Sequence, residues 1–448
     1  MRIAITTLGC KINQYDSAVI QSRLEQERHS FVPFDERADF YIINGCTVTD
    51  RADWEARQLV RRAKRLSPRA RVLVTGCYAQ VSHEEIAQVP GVDFVVGLNR
   101  LDDLLRFVNS GQPEKDRVSV GEVGREKQVQ LSGTKIFPGH TRAFLKIQEG
   151  CNYSCTFCII PIARGRSRSV HPENVLKQIR SLTEEGFVEV VLTGIHLGSY
   201  GLELKPKTDL TALIERIAES GLVRRLRLSS LDPREVPERL LNLMAASETL
   251  CPHLHVCLQA GEDRILKEMR RNYDTSYCRD LLIKAREMLP TASIGSDVIV
   301  GFPGETEDDF HGSLEFLDSL PLTYFHVFPY SVRRGTAAAS LPGHVPPKVK
   351  KERAKRVREL GGRKRKEFYR SFVGREVPVL VEHAVDSATG AHKGYSRNYL
   401  PVLVQADGGQ INREVQVYLG ELEGNWFKGE IMPRREAIND RRVRAGGS

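Results

Sequence analysis

Short apolar runs alternate with amphipathic stretches over the first quarter of the chain. "RIAITTLG", "DFYIING", "RVLVTG" and "DFVVG" each close on glycine and read as strands. Between them, "DSAVIQSRLEQE" and "DWEARQLVRRAKRL" carry apolar residues at helical spacing. This order predicts an open α/β domain built on a parallel sheet over residues 1–108. A polar, glycine-containing stretch, 109–142, reads as a linker, with a further strand expected around "RVSVGEV".

From residue 143 to 345 the pattern turns to strand followed by helix, repeated about six times. The strand candidates are "RAFLKIQ", "VEVVLTG", "RRLRLSSL", "PHLHVCLQ", "ASIGSDVIVGF" and "YFHVFPYS". The helices between them include "PENVLKQIRSLTEEG", "DLTALIERIAES", "CRDLLIKAREML" and "EDDFHGSLEFLDSL". Six such units predict a partial (β/α)6 barrel, a fold that keeps its chemistry at the C-terminal strand ends. A basic helical segment, 346–372, follows. "EVPVLVE", "LPVLVQ", "EVQVYLG" and "NWFKGEI" then predict a small OB-like β-barrel over 373–435, a shape that often binds nucleic acid. Residues 436–448 read as a tail.

Charge adds a partner to this picture. Residues 348–370 hold 12 Lys or Arg against three Glu, an excess equal to the formal net charge of the whole chain, +9. Charge runs are usually solvated helix faces, but one this concentrated favours a polyanion, in the first place nucleic acid. No apolar run is long enough to span a membrane, and "MRIAITTLGCKINQ" lacks the apolar core of a signal peptide. A cytoplasmic location with no membrane partner is expected, and the nine cysteines should be reduced there. Nine cannot all pair, so metal binding or catalysis explains them better than a disulfide framework.

Three of them stand together in "CNYSCTFC". Cys151, Cys155 and Cys158 follow C-x3-C-x2-C just after the first barrel strand. Structural zinc sites are closed by four ligands, usually as paired knuckles, and the second knuckle is missing. A four-iron cluster can take three thiolates and keep its fourth iron open for a small molecule. Three more, Cys10, Cys46 and Cys77, occur in "TTLGC", "IINGC" and "LVTGC", each after Gly at a predicted strand end. Strand ends of a parallel sheet share one edge, so these thiols can converge on a second cluster with an open iron. The plainer reading is three buried small side chains, which does not explain the repeated Gly-Cys. Cys251, Cys257 and Cys278 share no such pattern and read as structural. Strand alternation puts His253, His255, Cys257 and Gln259 on one face, read here as a polar barrel lumen rather than a metal pair.

The C-x3-C-x2-C loop on a partial β/α barrel resembles the radical S-adenosylmethionine (SAM) enzymes. That resemblance implies a [4Fe-4S] cluster on Cys151, Cys155 and Cys158, with SAM chelating the open iron and cleaved to a 5′-deoxyadenosyl radical. It also implies SAM contacts from Phe157, Thr193, Gly194, Ser229, Ser230, Gln259 and Asp297. With Cys10, Cys46 and Cys77 as ligands of a second [4Fe-4S] cluster, the chain resembles the methylthiotransferases over residues 1 to 435. Their C-terminal barrel, called TRAM, binds RNA. "LGCKINQYDS", "RGRSRS", "HLHVCLQAGED" and "SDVIVGFPGETEDDF" look most like the MtaB type. The resemblance then implies 2-methylthiolation of N6-threonylcarbamoyladenosine in the tRNA anticodon stem-loop. It also implies an external electron donor and a sulfur source. Arg164, Arg166 and Arg168 of "RGRSRS" become candidates for holding the RNA backbone or the threonyl carboxylate, against the plainer reading of a solvated turn. No acid–base residue is assigned as catalytic. The rivals are a MiaB-like enzyme on isopentenyladenosine and an iron–sulfur RNA-binding or redox-sensing protein without turnover.

Overall fold

A computed structural model describes residues 1–110, 117–126, 128–129 and 141–433. Most of the expected linker and all of the expected tail lie outside the described residues. The chain divides into two compact units, Met1–Arg365 and Lys366–Ser448.

The first unit opens with six strands, β1 (Arg2–Thr7), β2 (Ser30–Phe31), β3 (Phe40–Gly45), β4 (Arg71–Thr75), β5 (Phe94–Val96) and β6 (Val118–Ser119). All pair in parallel, in the order β2-β1-β3-β4-β5-β6. β6 is the strand expected in "RVSVGEV". Helices α1 (Lys11–Gln26), α2 (Asp50–Leu66), α3 (Gly76–Val81), α4 (His83–Ala87) and α5 (Leu101–Ser110) connect them. α2 starts where it does because the Thr49 side chain accepts from the Ala52 amide and Asp50 and Asp53 occupy the first turn. β3 is buried along its whole length, as a central parallel strand covered on both faces must be. The order reverses between β1 and β3, and open α/β sheets bind ligands at such a reversal.

Six further parallel strands follow: β7 (Arg142–Lys146), β10 (Glu189–Thr193), β11 (Arg225–Leu228), β12 (His253–His255), β13 (Ser293–Val300) and β14 (Tyr324–Pro329). A short antiparallel pair, β8 (Gln148–Glu149) and β9 (Arg168–Ser169), flanks the cysteine loop. The strands form two triplets, β7-β10-β11 and β12-β13-β14, joined by parallel bridges at Leu226–Leu250 and Leu231–Val256. Around them run α6 (Ile160–Arg164), α7 (Pro172–Glu184), α8 (Leu210–Glu219), α9 (Glu238–Ala246), α10 (Asp263–Glu268), α11 (Thr275–Met288) and α12 (Glu307–Ser319). This is the partial barrel expected from the sequence. Tyr15, Ala18 and Val19 of α1 belong to its hydrophobic core, so the first sheet and the barrel are packed as one body.

The basic segment is helix α13 (Pro347–Arg370). Part of its charge is already neutralised. Arg353 bonds Glu305 and Glu307, Arg356 pairs with Glu307, and Arg363 pairs with Asp318. Lys348, Lys351, Lys355 and Arg358 remain exposed.

The second unit is a closed five-stranded barrel of β15 (Glu376–Val385), β16 (His392–Ser396), β17 (Pro401–Val404), β18 (Glu414–Glu423) and β19 (Trp426–Ile431). Its pairs are antiparallel except β17 with β19. Val379, Val381, Val402, Val404, Val417, Leu419 and Phe427 fill it with no exposed surface.

Candidate functional site

The Gly-Cys repeats meet at the sheet reversal. Cys10 stands at the N-terminus of α1 directly after β1, Cys46 follows β3, and Cys77 lies in the first turn of α3 after β4. These three strands are neighbours. A Cβ on Gly9 would come within 2.7 Å of the Cys46 Cβ. Gly76 has φ +90°, and a Cβ there would sit 2.2 Å from Asn44 Oδ1 and 2.6 Å from the Gly45 carbonyl. Only glycine meets both demands, which is why it precedes Cys77.

Asn13 and Arg164 tie two of the three thiols together, while Cys46 Sγ accepts from the Val48 amide at 3.5 Å. Cys10 Sγ and Cys77 Sγ lie 3.9 and 3.8 Å from Asn13 Oδ1, and Arg164 Nη2 donates to the same oxygen at 2.7 Å. Arg164 Nε donates to Cys77 Sγ at 3.1 Å. Its other bonds reach Glu149 Oε1 at 2.8 Å and Asp16 Oδ2 at 3.0 Å. Lys146 completes the group on Asp16 and Glu149, at 2.7 and 2.8 Å. Burial pushes Glu149 up, but Arg164 and Lys146 outweigh it and hold the carboxyl at about 2. Burial pushes the Cys77 thiol up to about 12, with Arg164 opposing. The Cys46 thiol is raised for the same reason.

The second trio occupies the loop between β8 and α6. Cys151 is anchored by its amide on the Gly165 carbonyl at 3.0 Å, and the Cys158 amide bonds the Cys155 carbonyl at 3.1 Å. Gln148 braces the loop through bonds to the Gly150 carbonyl and to Ser167 Oγ, at 2.8 and 2.9 Å. Arg271 Nη1 donates to Cys155 Sγ at 3.0 Å, while its other nitrogens hold Asp232 and, at 2.8 Å, Tyr273. Burial raises Cys155 against Arg271, and raises Cys158 to about 12. His196 sits 2.6 Å from Glu235. Burial disfavours its charge, yet the neighbouring Cys151 and Glu235 push it up to about 10.

Each trio therefore offers soft sulfur donors with one arginine N–H aimed at a sulfur. That donor set suits iron–sulfur clusters, whose potentials are tuned by hydrogen bonds to sulfur, and not hard oxygen-seeking cations. Cysteine thiols raised by burial deprotonate when metal binds them.

The residues expected around SAM ring the barrel at its strand ends. Phe157 packs against the barrel core. Thr193 ends β10, and a Cβ on Gly194 would lie 2.9 Å from Gln148 Oε1. Ser229 Oγ is buried without a hydrogen-bond partner among the described residues, an acceptor and donor left for a ligand. Ser230 is exposed. Gln259 takes φ +68° and pairs its backbone with Asp297 and Ile299. The Asp297 carboxylate accepts from His255 Nε2 at 3.0 Å, His326 Nδ1 at 3.2 Å and Cys257 Sγ at 3.3 Å. Burial pushes Asp297 up, but the two histidines hold it well below the usual carboxylate range. His253 Nε2 and His255 Nδ1 both meet Tyr324 Oη, at 2.8 and 3.0 Å. The lumen is polar, as the alternation in "HLHVCLQ" predicts.

The three arginines of "RGRSRS" part company. Arg164 is buried in the cysteine network described above. Arg168 is buried too, and donates to the Arg164 and Arg166 carbonyls. Arg166 alone is exposed. Sequence reasoning did not single out Asn13, Asp16, Lys146, Glu149, Asp232 or Arg271. Gln148 and Glu149 do adjoin the cysteine motif, whereas nothing local marks Arg271.

Residues 2–97 match Uncharacterized protein family UPF0004, and residues 145–317 match the Radical SAM superfamily. The chain is 43% identical to threonylcarbamoyladenosine tRNA methylthiotransferase MtaB of Aquifex aeolicus, over 85% of this chain and 93% of that protein. It is 32% identical to tRNA-2-methylthio-N(6)-dimethylallyladenosine synthase of Moorella thermoacetica, over 96% and 98%. The solved radical SAM methyltransferase TsrM of Kitasatospora setae shares the fold, with a TM-score of 0.52 at 17% identity, over 75% of this chain and 77% of that one.

Proposed function

Because the chain belongs to the radical SAM methylthiotransferases, we propose that it is the tRNA enzyme that converts N6-threonylcarbamoyladenosine to its 2-methylthio derivative. The observation that carries this reading is the pair of three-thiol sets in one compact unit, with Arg164, six residues after Cys158, bonded to Cys77 Sγ, in a chain 43% identical to an MtaB. Cys10, Cys46 and Cys77 would hold one [4Fe-4S] cluster, and Cys151, Cys155 and Cys158 the other. When bound, the clusters and SAM supply the radical that removes hydrogen from adenine C2 and the sulfur and methyl group that replace it.

The protein's own residues position and shield. Arg164 and Arg271 each direct an N–H at one ligand sulfur and so favour electron-rich states of that site. Ser229, Gln259 and Asp297, with Phe157, Thr193, Gly194 and Ser230, line the SAM side. Arg166, exposed beside the cysteine loop, is the member of its trio placed to meet RNA phosphate. The exposed cations of α13 and the TRAM-like barrel bind the tRNA around the anticodon stem-loop. No helix among the described residues is long and apolar enough to cross a membrane. The enzyme works in the cytoplasm, with an external electron donor and a sulfur source.

Nucleoside mass spectrometry of tRNA from a strain lacking the gene tests the assignment. The threonylcarbamoyl nucleoside should accumulate without its methylthio form. Loss of the methylthio dimethylallyl nucleoside instead would transfer the chain to the Moorella type of activity.

A further inference from the structure

In the sequence, His253 and His255 stand as a lone pair, and two histidines alone make a weak metal site. The fold adds the missing donors. β12, β13 and β14 are parallel neighbours, with His255 beside Gly295 and Asp297 beside His326. Residues two apart along a strand share a face, so His255, Asp297 and His326 turn the same way. Cys257 follows His255 by two and joins them just past the end of β12. Gly295 keeps this face open, since a Cβ there would sit 2.0 Å from Tyr324 Cζ.

The Asp297 carboxylate is the hub of the group. Its Oδ1 meets His255 Nε2 at 3.0 Å and His326 Nδ1 at 3.2 Å, and its Oδ2 meets Cys257 Sγ at 3.3 Å. The donor atoms of His255, Cys257 and Asp297 all lie within 4.8 Å of one another. The rings of His255 and His326 stack with centroids 4.9 Å apart, which brings the second imidazole to the same carboxylate. A tetrahedral ion with ligands at about 2.0–2.3 Å holds them about 3.3–3.7 Å apart. The hydrogen-bonded pairs reach that spacing with shifts of about half an ångström.

Two imidazoles, one thiolate and one carboxylate form a zinc-type donor set, whereas magnesium and calcium take oxygen. The thiolate and the carboxylate together cancel the charge of a divalent ion, so an enclosed complex carries no net charge. Tyr324 Oη lies 3.0 Å from His255 Nδ1 and can accept the proton that the ring carries once Nε2 binds the ion. His326 is exposed, which gives the ion a way in. A lumen built only on hydrogen bonds is better served by a hydroxyl at position 257, because a thiol is a weak donor. Sulfur there adds what a borderline-soft ion prefers.

We propose that His255, Cys257, Asp297 and His326 form a third metal site, separate from the two cysteine trios, for one zinc-class divalent ion. The proposed function gives Asp297 to the SAM side, so the ion belongs to the SAM-free lumen. Binding releases the Cys257 proton and replaces the hydrogen bonds on Asp297 with bonds to the metal.

The test uses the full chain with both clusters reconstituted, under anaerobic conditions, with neither SAM nor RNA. The protein is incubated with zinc and desalted, and zinc and iron are counted by mass spectrometry. About one zinc per chain should remain, with iron unchanged. X-ray absorption at the zinc edge should show one sulfur at about 2.3 Å and the remaining ligands as nitrogen or oxygen at about 2.0 Å. Cys257→Ser keeps a hydrogen-bonding group in the lumen; it should lose the sulfur shell and bind zinc at least about tenfold more weakly, as should His326→Gln at the exposed edge. No zinc retained by the parent would overturn the proposal. So would a shell of three sulfurs, which would place the ion in a cysteine trio, or unchanged zinc affinity in Cys257→Ser. Failure of the functional assignment is a separate result, read from tRNA nucleosides, and leaves the zinc count as it is.

Discussion

Replacing Arg164 with Met removes the residue that holds the cysteine-bearing sheet to the barrel. Arg164 is 1% exposed and bonds Cys77, Asn13, Asp16 and Glu149. In the variant, Glu149 keeps only Lys146 as a cationic partner. The pull of Arg164 and Lys146 takes Glu149 from its ordinary 4.5 to about 2 against burial. A shift of that size corresponds to about 3 kcal/mol. Removing one side of a buried ion pair costs about 3–5 kcal/mol. Both routes predict that the junction opens at least about 100-fold more readily. Hydrogen exchange on iron-free protein reads this locally, as faster exchange in α1 and α6 with little change in the second unit. The pH dependence has a fixed sign. A carboxyl held low in the folded state stabilises fully above its unfolded value of about 4.5, and that contribution fades as pH falls toward 2. The parent should lose protection across that window, and Arg164→Met should lose less. Protection within about threefold of the parent, with the same pH slope, would refute the view that Arg164 secures the junction.

Three further outcomes test the site. Changing Cys10, Cys46 and Cys77 to Ala should remove about half of the bound iron, as expected for two four-iron clusters. That variant should still form 5′-deoxyadenosine with dithionite while yielding no methylthio nucleoside. Gly76→Ala places a Cβ 2.2 Å from Asn44 Oδ1 at a positive φ, so Cys77 should be displaced and the same half of the iron lost. Removing residues 373–448 should weaken tRNA binding at least tenfold in a filter or fluorescence assay, roughly the scale of a few lost phosphate contacts, with iron content unchanged.

Periodic segments were legible from sequence because each carries its own signal. "FYIING" is apolar throughout, and α2 repeats Ala56, Val60 and Ala63 at helical spacing. β16 was missed because "HKGYS" has no apolar alternation; its pairing comes from β15 and β17 on either side. The convergence of Cys10, Cys46 and Cys77 could be read because parallel strands share an edge. The place of Arg164 could not. Its partners come from residues 13, 16, 77 and 149, and nothing local separates an arginine that points inward from Arg166, two positions on, which points out.

The packing of α1 into the barrel core has a mechanical consequence for the RNA. Tyr15, Ala18 and Val19 share one hydrophobic cluster with β7 and β10, and Arg164 and Lys146 pin the seam with buried ion pairs. A seam of that kind does not swing open like a jaw to admit a folded loop. Under the proposed function the nucleobase would do the travelling, leaving its stack in the tRNA and entering alone. Unstacking one base costs a few kcal/mol, and contacts made elsewhere along the stem must offset it. Tight gripping of the RNA at a distance is then a condition for presenting C2 to the reactive centre.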